Sequence, residues 1–184
     1  MRFTGRVLRK GSFVAIEEII LDAQKVTTLK ETLRPGLKAV FVGLNPGQKS
    51  VDCGHYYQGR HGRRFWNQLY EYQIAPSLPS GVEDDAAFER GFGFVDLVRK
   101  PTVSSKQLKL TRAEWSAAVS DLGARLSTTG DRPIVIFRYK EPWNLAGERL
   151  EQMGYCVLRM PSPYEKKERA DSMMKEIRAK LATV

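Results

Sequence analysis

Cysteine and histidine are scarce in this chain, at two residues each. Cys53 and Cys156 are too few to build a four-cysteine zinc site or hold an iron–sulfur cluster by the usual four thiolates. They also make no disulfide framework. A reducing compartment is therefore expected, either a bacterial cytoplasm with its nucleoid or a nucleus. His55 and His61 are not spaced i, i+4, and carboxylates do not cluster around them in sequence. No metal and no cofactor are expected. No apolar run approaches the roughly 18–20 residues of a membrane span. The basic start, Met1-Arg2-Phe3-Thr4-Gly5-Arg6, leads into no apolar core, so neither a membrane anchor nor a signal peptide is expected. The chain also lacks a Ser–His–Asp order, a Walker loop and a carboxylate pair at a strand end. Gly91-Phe92-Gly93 is without the rest of a dinucleotide fingerprint.

Acidic residues are in deficit as well. Lys and Arg number 30 against 21 Asp and Glu, a formal charge of 30 − 21 = +9. The sequence pI is near 9.7. That surplus suits a polyanion partner, nucleic acid before an acidic membrane. The length, 184 residues with 42% hydrophobic, fits one domain with a sizeable core.

Hydrophobic patterning supplies the architecture. Lys38 to Gly43, Phe92 to Val98, Ile134 to Phe137 and Tyr155 to Leu158 are short apolar runs of the kind buried on both faces of a parallel sheet. Phe13 to Leu21 suits a strand or a short helix, and Val26 to Leu33 reads as a helix stopped by Pro35-Gly36. Helices are expected over Arg63–Ile74, Val82–Arg90, Thr111–Leu126, Pro142–Met153 and Glu165–Leu181, with Thr111 and Glu114 at capping-box spacing. Alternating strands and helices predict a three-layer α/β/α sandwich around a mostly parallel sheet of four or five strands. Residues 1–32 are expected to be an extension packed on or flanking a domain formed by 33–184.

Ligands of such sheets bind beyond the carboxyl ends of the strands. Two segments of unusual composition fall there, residues 43–66 and 159–169, and they are expected to meet at one site. In the first, Gly43 and Gly47 let backbone amides approach a ligand, and Asn45 can hold a water or a base edge. The competing reading of Asn45 is a turn residue that bonds its own backbone. Tyr56 and Tyr57 offer a stacking face for a base, while Arg60, Arg63 and Arg64 suit phosphates or a merely solvated face. Phe65 and Trp66 start an apolar helix face. In the second, Pro161 and Pro163 stiffen a turn flanked by Arg159, Lys166, Lys167 and Arg169, able to push into a duplex. Asp96, near a strand end, reads as structural.

Gly43-Leu44-Asn45-Pro46-Gly47 resembles Gly-Ile-Asn-Pro-Gly, the first active-site motif of the mismatch-specific uracil/thymine DNA glycosylase family, within the uracil-DNA glycosylase superfamily. Arg64-Phe65-Trp66 and Val95-Asp96-Leu97-Val98-Arg99-Lys100-Pro101-Thr102 are similar to family stretches, and Met160-Pro161-Ser162 resembles the second motif. The resemblance spans about 33–182 in the right order. It implies a monofunctional glycosylase that hydrolyses the N-glycosidic bond of uracil, or of thymine and other damaged pyrimidines, in mismatched double-stranded DNA. On that resemblance Asn45 holds the attacking water, and Gly43, Leu44, Tyr57 and Ser162 bind the base. Tyr56 or Gln58 is the alternative stacking residue, because this region differs by one residue in length. Arg60, Arg63, Arg64, Met160, Pro161, Pro163, Tyr164, Lys166 and Lys167 contact DNA, with Tyr164 or Lys166 as the inserted group. The expected partner is duplex DNA carrying U·G or a related lesion, with no membrane involvement and a monomeric protein. The alternative is a non-catalytic DNA-binding module that retains the fold.

Overall fold

The computed structural model describes residues 16–21 and 23–184. The basic start at Arg2, Arg6, Arg9 and Lys10 lies outside the described residues. The first elements are β1 (Ile16–Leu21) and β2 (Gln24–Leu29), an antiparallel pair with Ile16 opposite Leu29 and Leu21 opposite Gln24. The helix expected from Val26 is thus a strand. Val26, Thr27 and Thr28 are β-branched and suit a pleated surface, and pairing with β1 decides an ambiguous run. The hairpin is tied to the domain where Thr28 Oγ1 donates to the Arg99 carbonyl at 2.8 Å and Arg99 Nη2 meets Glu17 Oε1 at 2.6 Å, and where Leu29 enters the core.

The central sheet holds β3 (Ala39–Gly43), β4 (Phe92–Asp96), β5 (Ile134–Phe137) and β6 (Val157–Arg159), all parallel, in the order β4-β3-β5-β6. Among the described residues six α-helices connect or flank them: α1 (Gln48–Cys53), α2 (Gly59–Glu71), α3 (Glu83–Phe88), α4 (Arg112–Ser127), α5 (Lys140–Gln152) and α6 (Lys167–Leu181). Thr111 and Glu114 close a reciprocal capping box on α4. Helix α5 begins two residues before Pro142, because proline is tolerated within the first turn, where its missing N–H costs no helix bond.

Alternation along the strands makes the layers. Ala39 and Phe41 of β3, with Phe92 and Phe94 of β4, face a core shared with Tyr56, Phe65, Trp66, Leu69, Met174 and Ile177. Val40, Val42, Val95, Val135 and Phe137 face the opposite core, built with Leu122 and Leu126 of α4 and Leu150 of α5. Both strand faces are therefore covered, which is the α/β/α arrangement, with four strands in the main sheet. The open edge of β4 is met by Thr32, whose N–H donates to the Phe94 carbonyl at 3.1 Å and whose Oγ1 accepts the Phe94 N–H at 2.8 Å. An unpaired edge is thereby satisfied. No helix among the described residues is long and apolar enough to cross a membrane.

Candidate active site

The turn after β3 is stapled to the chain after β4. Leu97 and Val98 donate their N–H groups to Gly43 and Leu44 carbonyls at 3.0 and 2.9 Å, Thr102 N–H donates to Pro46 at 3.0 Å, and Gln48 N–H donates to Thr102 at 3.0 Å. Into this frame Asn45 sends its amide nitrogen. Nδ2 donates to the Lys100 carbonyl at 3.0 Å and to Thr102 Oγ1 at 2.8 Å, with a longer contact to the Pro46 carbonyl at 3.4 Å. Carbonyl oxygens only accept, so the NH2 must face them and the orientation of the amide is determined. The side chain is half-buried, and its Oδ1 bonds to no described residue. The backbone N–H groups of Leu44 and Asn45 likewise donate to no described residue. Asn45 does bond backbone, but mainly that of a segment 55 positions away. A clamped amide of this kind presents one acceptor oxygen in a fixed direction.

Beside the turn lies an unusual acid. Gly43 and Asp96 are register partners at the ends of β3 and β4. They continue the stacked Phe41–Phe94 face, whose ring centroids are 5.8 Å apart. Asp96 is only 4% exposed. Burial, reinforced by the nearby Glu31 carboxylate, pushes its carboxyl up to about 8, against which the Arg125 guanidinium acts more weakly. Arg125 itself reaches from α4 to pair with Glu31 and to donate to the Asp96 and Leu97 carbonyls at 3.0 and 3.2 Å. At neutral pH Asp96 is therefore mainly a neutral carboxylic acid, able to donate a hydrogen bond. The Tyr57 hydroxyl points to the same place and is buried without a partner. Burial, with Asp96 adding to it, drives the Tyr57 phenol well above its ordinary range, so it stays protonated.

Tyr57 is held there by strain. Its φ is +52°, in the left-handed region. A Cβ on Gly62 would fall 1.5 Å from the Tyr57 carbonyl oxygen, so only glycine permits α2 to start under this residue. That carbonyl accepts from Trp66 Nε1 at 3.3 Å, and the ring packs on Phe65 with centroids 4.2 Å apart. Tyr56 is buried and stacked on Phe94 at 5.6 Å, and Gln58 sits at the α2 N-cap with its amide on Glu83. Of the three stacking alternatives, Tyr57 is the one whose hydroxyl stands 3.5 Å from a Cβ built on Gly43. The preceding loop is latched by Asp84, whose Oδ1 pairs with His55 Nδ1 at 2.9 Å and whose Oδ2 accepts the Tyr56 N–H at 2.7 Å. The expectation that no carboxylates gather near a histidine is corrected here. Asp84 and Asp85 both approach His55, from a helix distant in sequence. Both oxygens of Asp84 are already engaged in holding the loop.

The second segment is braced from within. Arg159, 9% exposed, donates to the Met160 carbonyl at 3.0 Å and to Glu165 Oε1 at 2.8 Å, which lowers the Glu165 carboxyl below its usual range. Arg159 is therefore a structural cation. Met160 is wholly buried in the core under α6, so its side chain cannot be one of the expected DNA contacts. Beyond it, Pro161 is buried, Ser162 half-buried, and Pro163, Lys166 and Lys167 exposed. Tyr164 stands out at the tip, 96% exposed. Arg60, Arg63 and Arg64 are all exposed on α2.

A cavity of about 300 Å³ opens between α2, the end of β5 and this turn, lined among others by Arg64, Arg138, Pro161, Ser162 and Pro163. Gly43, Leu44, Asn45 and Tyr57 are outside its lining. The two segments therefore meet here through Arg64 of the first and residues 161–163 of the second, with the Asn45 turn outside the lining. They are joined through a stack in which Tyr57 packs on Phe65 and the Arg138 guanidinium lies 5.6 Å over the Phe65 ring.

A family model, that of the uracil DNA glycosylase superfamily, matches residues 31–182. The chain belongs to the uracil DNA glycosylase superfamily. Membership supports a hydrolase of the DNA glycosylase type that acts on uracil in DNA and serves base excision repair. In this superfamily member the residues expected from sequence form two neighbouring groups, Gly43, Leu44, Asn45 and Tyr57 at the strand ends and Arg64, Pro161, Ser162 and Pro163 at the cavity. Three features were not singled out as parts of the site: the proton-bearing state of Asp96, the Lys100–Thr102 clamp on Asn45, and Arg138. The position of Asp96 at a strand end was the one available signal.

Proposed function

We propose that this protein is a monofunctional glycosylase that removes uracil, and related damaged pyrimidines, from mismatched duplex DNA. A stacked base is out of reach, so the nucleotide is everted, at a cost of a few kcal/mol that is smallest for a mispair. Tyr164 enters the gap it leaves, and Arg60, Arg63, Arg64, Lys166 and Lys167 neutralise phosphates. The pyrimidine stacks on Tyr57 beside the Asn45 turn. As the C1′–N1 bond breaks, the sugar becomes oxocarbenium-like and the base departs with the bonding pair. The free N–H groups of Leu44 and Asn45, and the neutral Asp96 carboxyl, face the developing anion. Asn45 Oδ1 accepts a hydrogen bond from a water and aims its lone pair at C1′. The water's proton is then lost to solvent or to the departed base. An amide cannot act as a true base, so turnover is modest.

The observation that carries this reading is the clamp on Asn45 Nδ2, which leaves Oδ1 unbonded in a fixed direction. The test is incubation with a labelled U·G duplex followed by hot alkali. Scission at the uracil is expected from the native protein. Asn45→Ala should lose at least about a hundredfold in excision rate while binding the duplex nearly as well. Intact strands across U·G, T·G, hypoxanthine and single-stranded substrates would instead identify a DNA-binding module without catalysis.

A further inference from the structure

Arg138 follows the last residue of β5, and its N–H donates to the Val42 carbonyl at 2.8 Å, which fixes it at the carboxyl end of the sheet's two inner strands. It is 6% exposed. Its guanidinium makes no hydrogen bond or ion pair with any described residue, and Nε is fully buried without a partner. The Nε–H of a permanent cation is thus withdrawn from water without a partner, and the rest of the guanidinium, with no protein acceptor among the described residues, lies over ring faces. The faces are those of Phe65 at 5.6 Å and Tyr139 at 5.2 Å. Ring faces attract a cation but accept no in-plane hydrogen bonds. Folded proteins rarely leave a buried guanidinium in that state, because an uncompensated charge in low dielectric is costly. This one lines the 300 Å³ cavity, with Arg64 and Ser162 on the same walls. Glu71 is the single acid of that lining and is exposed.

We infer that Arg138, with Arg64 and Ser162, forms a preformed oxyanion seat that takes one backbone phosphate of the bound DNA strand beside the everted nucleotide. The inference rests on the glycosylase reading for its choice of phosphate source. The planar guanidinium offers paired donors to two phosphate oxygens, the Ser162 hydroxyl donates a third bond, and Arg64 adds charge at the rim. Pro161 and Pro163 keep the wall stiff, so the seat exists before DNA arrives. Because Arg138 also lies against Phe65, and Phe65 against Tyr57, a phosphate seated here fixes the strand at one ring's remove from the base site. The seat therefore sets the register of the strand.

The test is a scan of duplexes in which single phosphates near the lesion are replaced by neutral methylphosphonates. Binding is measured for the native protein and for Arg138→Met, so the readout does not depend on catalysis. One linkage within two nucleotides of the uracil should weaken native binding about tenfold when neutralised, and the same linkage should have little further effect on Arg138→Met. DNA-free Arg138→Met should also melt at a higher temperature than the native protein, since an unpaired buried cation has gone. Arg138→Lys, which keeps charge without the fork, should recover part of the affinity. Independent, multiplying effects at every linkage would overturn the assignment. So would stabilisation of the native protein by inorganic phosphate at fixed ionic strength with no sensitive linkage, which identifies a free-phosphate site instead. Loss of excision in every assay, with the coupling intact, would remove the glycosylase reading and leave the seat standing.

Discussion

The Asp96 carboxyl occupies the space that a side chain at Gly43 would need. A Cβ built on Gly43 falls 2.0 Å from Asp96 Oδ1 and 3.5 Å from the Tyr57 hydroxyl. The strand end must therefore be glycine for the acid and the phenol to stand beside the Asn45 turn. Gly43→Ala has to push the carboxyl aside or bend the turn, an overpacking cost of about 1–3 kcal/mol. A lower melting temperature is expected, together with an excision defect far larger than the loss of stability alone explains. An Ala variant with native excision would show that this contact is irrelevant to the site.

The protonation of Asp96 sets a pH limit. Below about 8 the carboxyl is neutral and can donate to the departing pyrimidine. Above that value it carries a negative charge where another negative charge must develop, so the rate falls. Single-turnover excision should decline as pH rises through about 8, and Asp96→Asn, a permanent neutral donor, should flatten that decline. The stability sign runs the same way. A carboxyl whose folded value is raised binds its proton more tightly when folded, so its contribution is greatest in acid and is lost as pH rises through the folded value. Asp96→Asn should accordingly melt higher than the native protein at pH 8. A native profile that is level from pH 7 to 9 would contradict the assignment.

Tyr164 and Lys166 separate the two candidates for insertion into the duplex. Tyr164 is almost wholly exposed, so Tyr164→Ala should change folding stability by no more than about 0.5 kcal/mol. Its effect should appear in catalysis, as a tenfold or greater drop on duplex U·G and a much smaller one on single-stranded uracil, where no gap needs filling. Lys166→Ala should behave differently, weakening binding to all duplexes alike and reducing the salt slope by about one. The opposite pattern, a duplex-selective defect in Lys166→Ala alone, would assign the insertion to Lys166.

Much of this architecture was legible because it is local. The apolar runs at 39–43 and 134–137 are strands, and the Thr111–Glu114 spacing closes the capping box it predicts. Val26–Leu29 misled because its β-branched residues suit a strand while its spacing mimics a helix face, and only pairing with β1 decides between them. Among site residues, the Asn45 motif is contiguous and could be read directly. Asp96 and Arg138 could not be assigned roles in the same way. What matters is burial of a carboxyl in the first and of an unpartnered guanidinium Nε in the second, properties of the packed molecule that no short window of sequence contains. Met160 shows the converse, since a motif neighbour need not share the motif's surface.

The His55–Asp84 latch joins residues 29 positions apart and supports the strained Tyr57 indirectly, by holding Tyr56. Asp84→Ala leaves His55 Nδ1 and the Tyr56 N–H without their acceptor, a loss of about 2–4 kcal/mol. Excision should fall as Tyr57 loosens. The pH dependence follows from the hydrogen bond to Asp84, which outweighs burial and raises the His55 imidazole above its ordinary 6.5. A raised histidine contributes its full stability below 6.5 and loses it as pH climbs through the folded value. The melting-temperature gap between native protein and His55→Gln should therefore be widest near pH 6 and narrow towards pH 8.5. It should not vanish, because a neutral ring still donates from Nδ1 to the carboxylate. A gap that widens with pH would mean that the imidazole is held neutral and that Asp84 acts on the Tyr56 N–H alone.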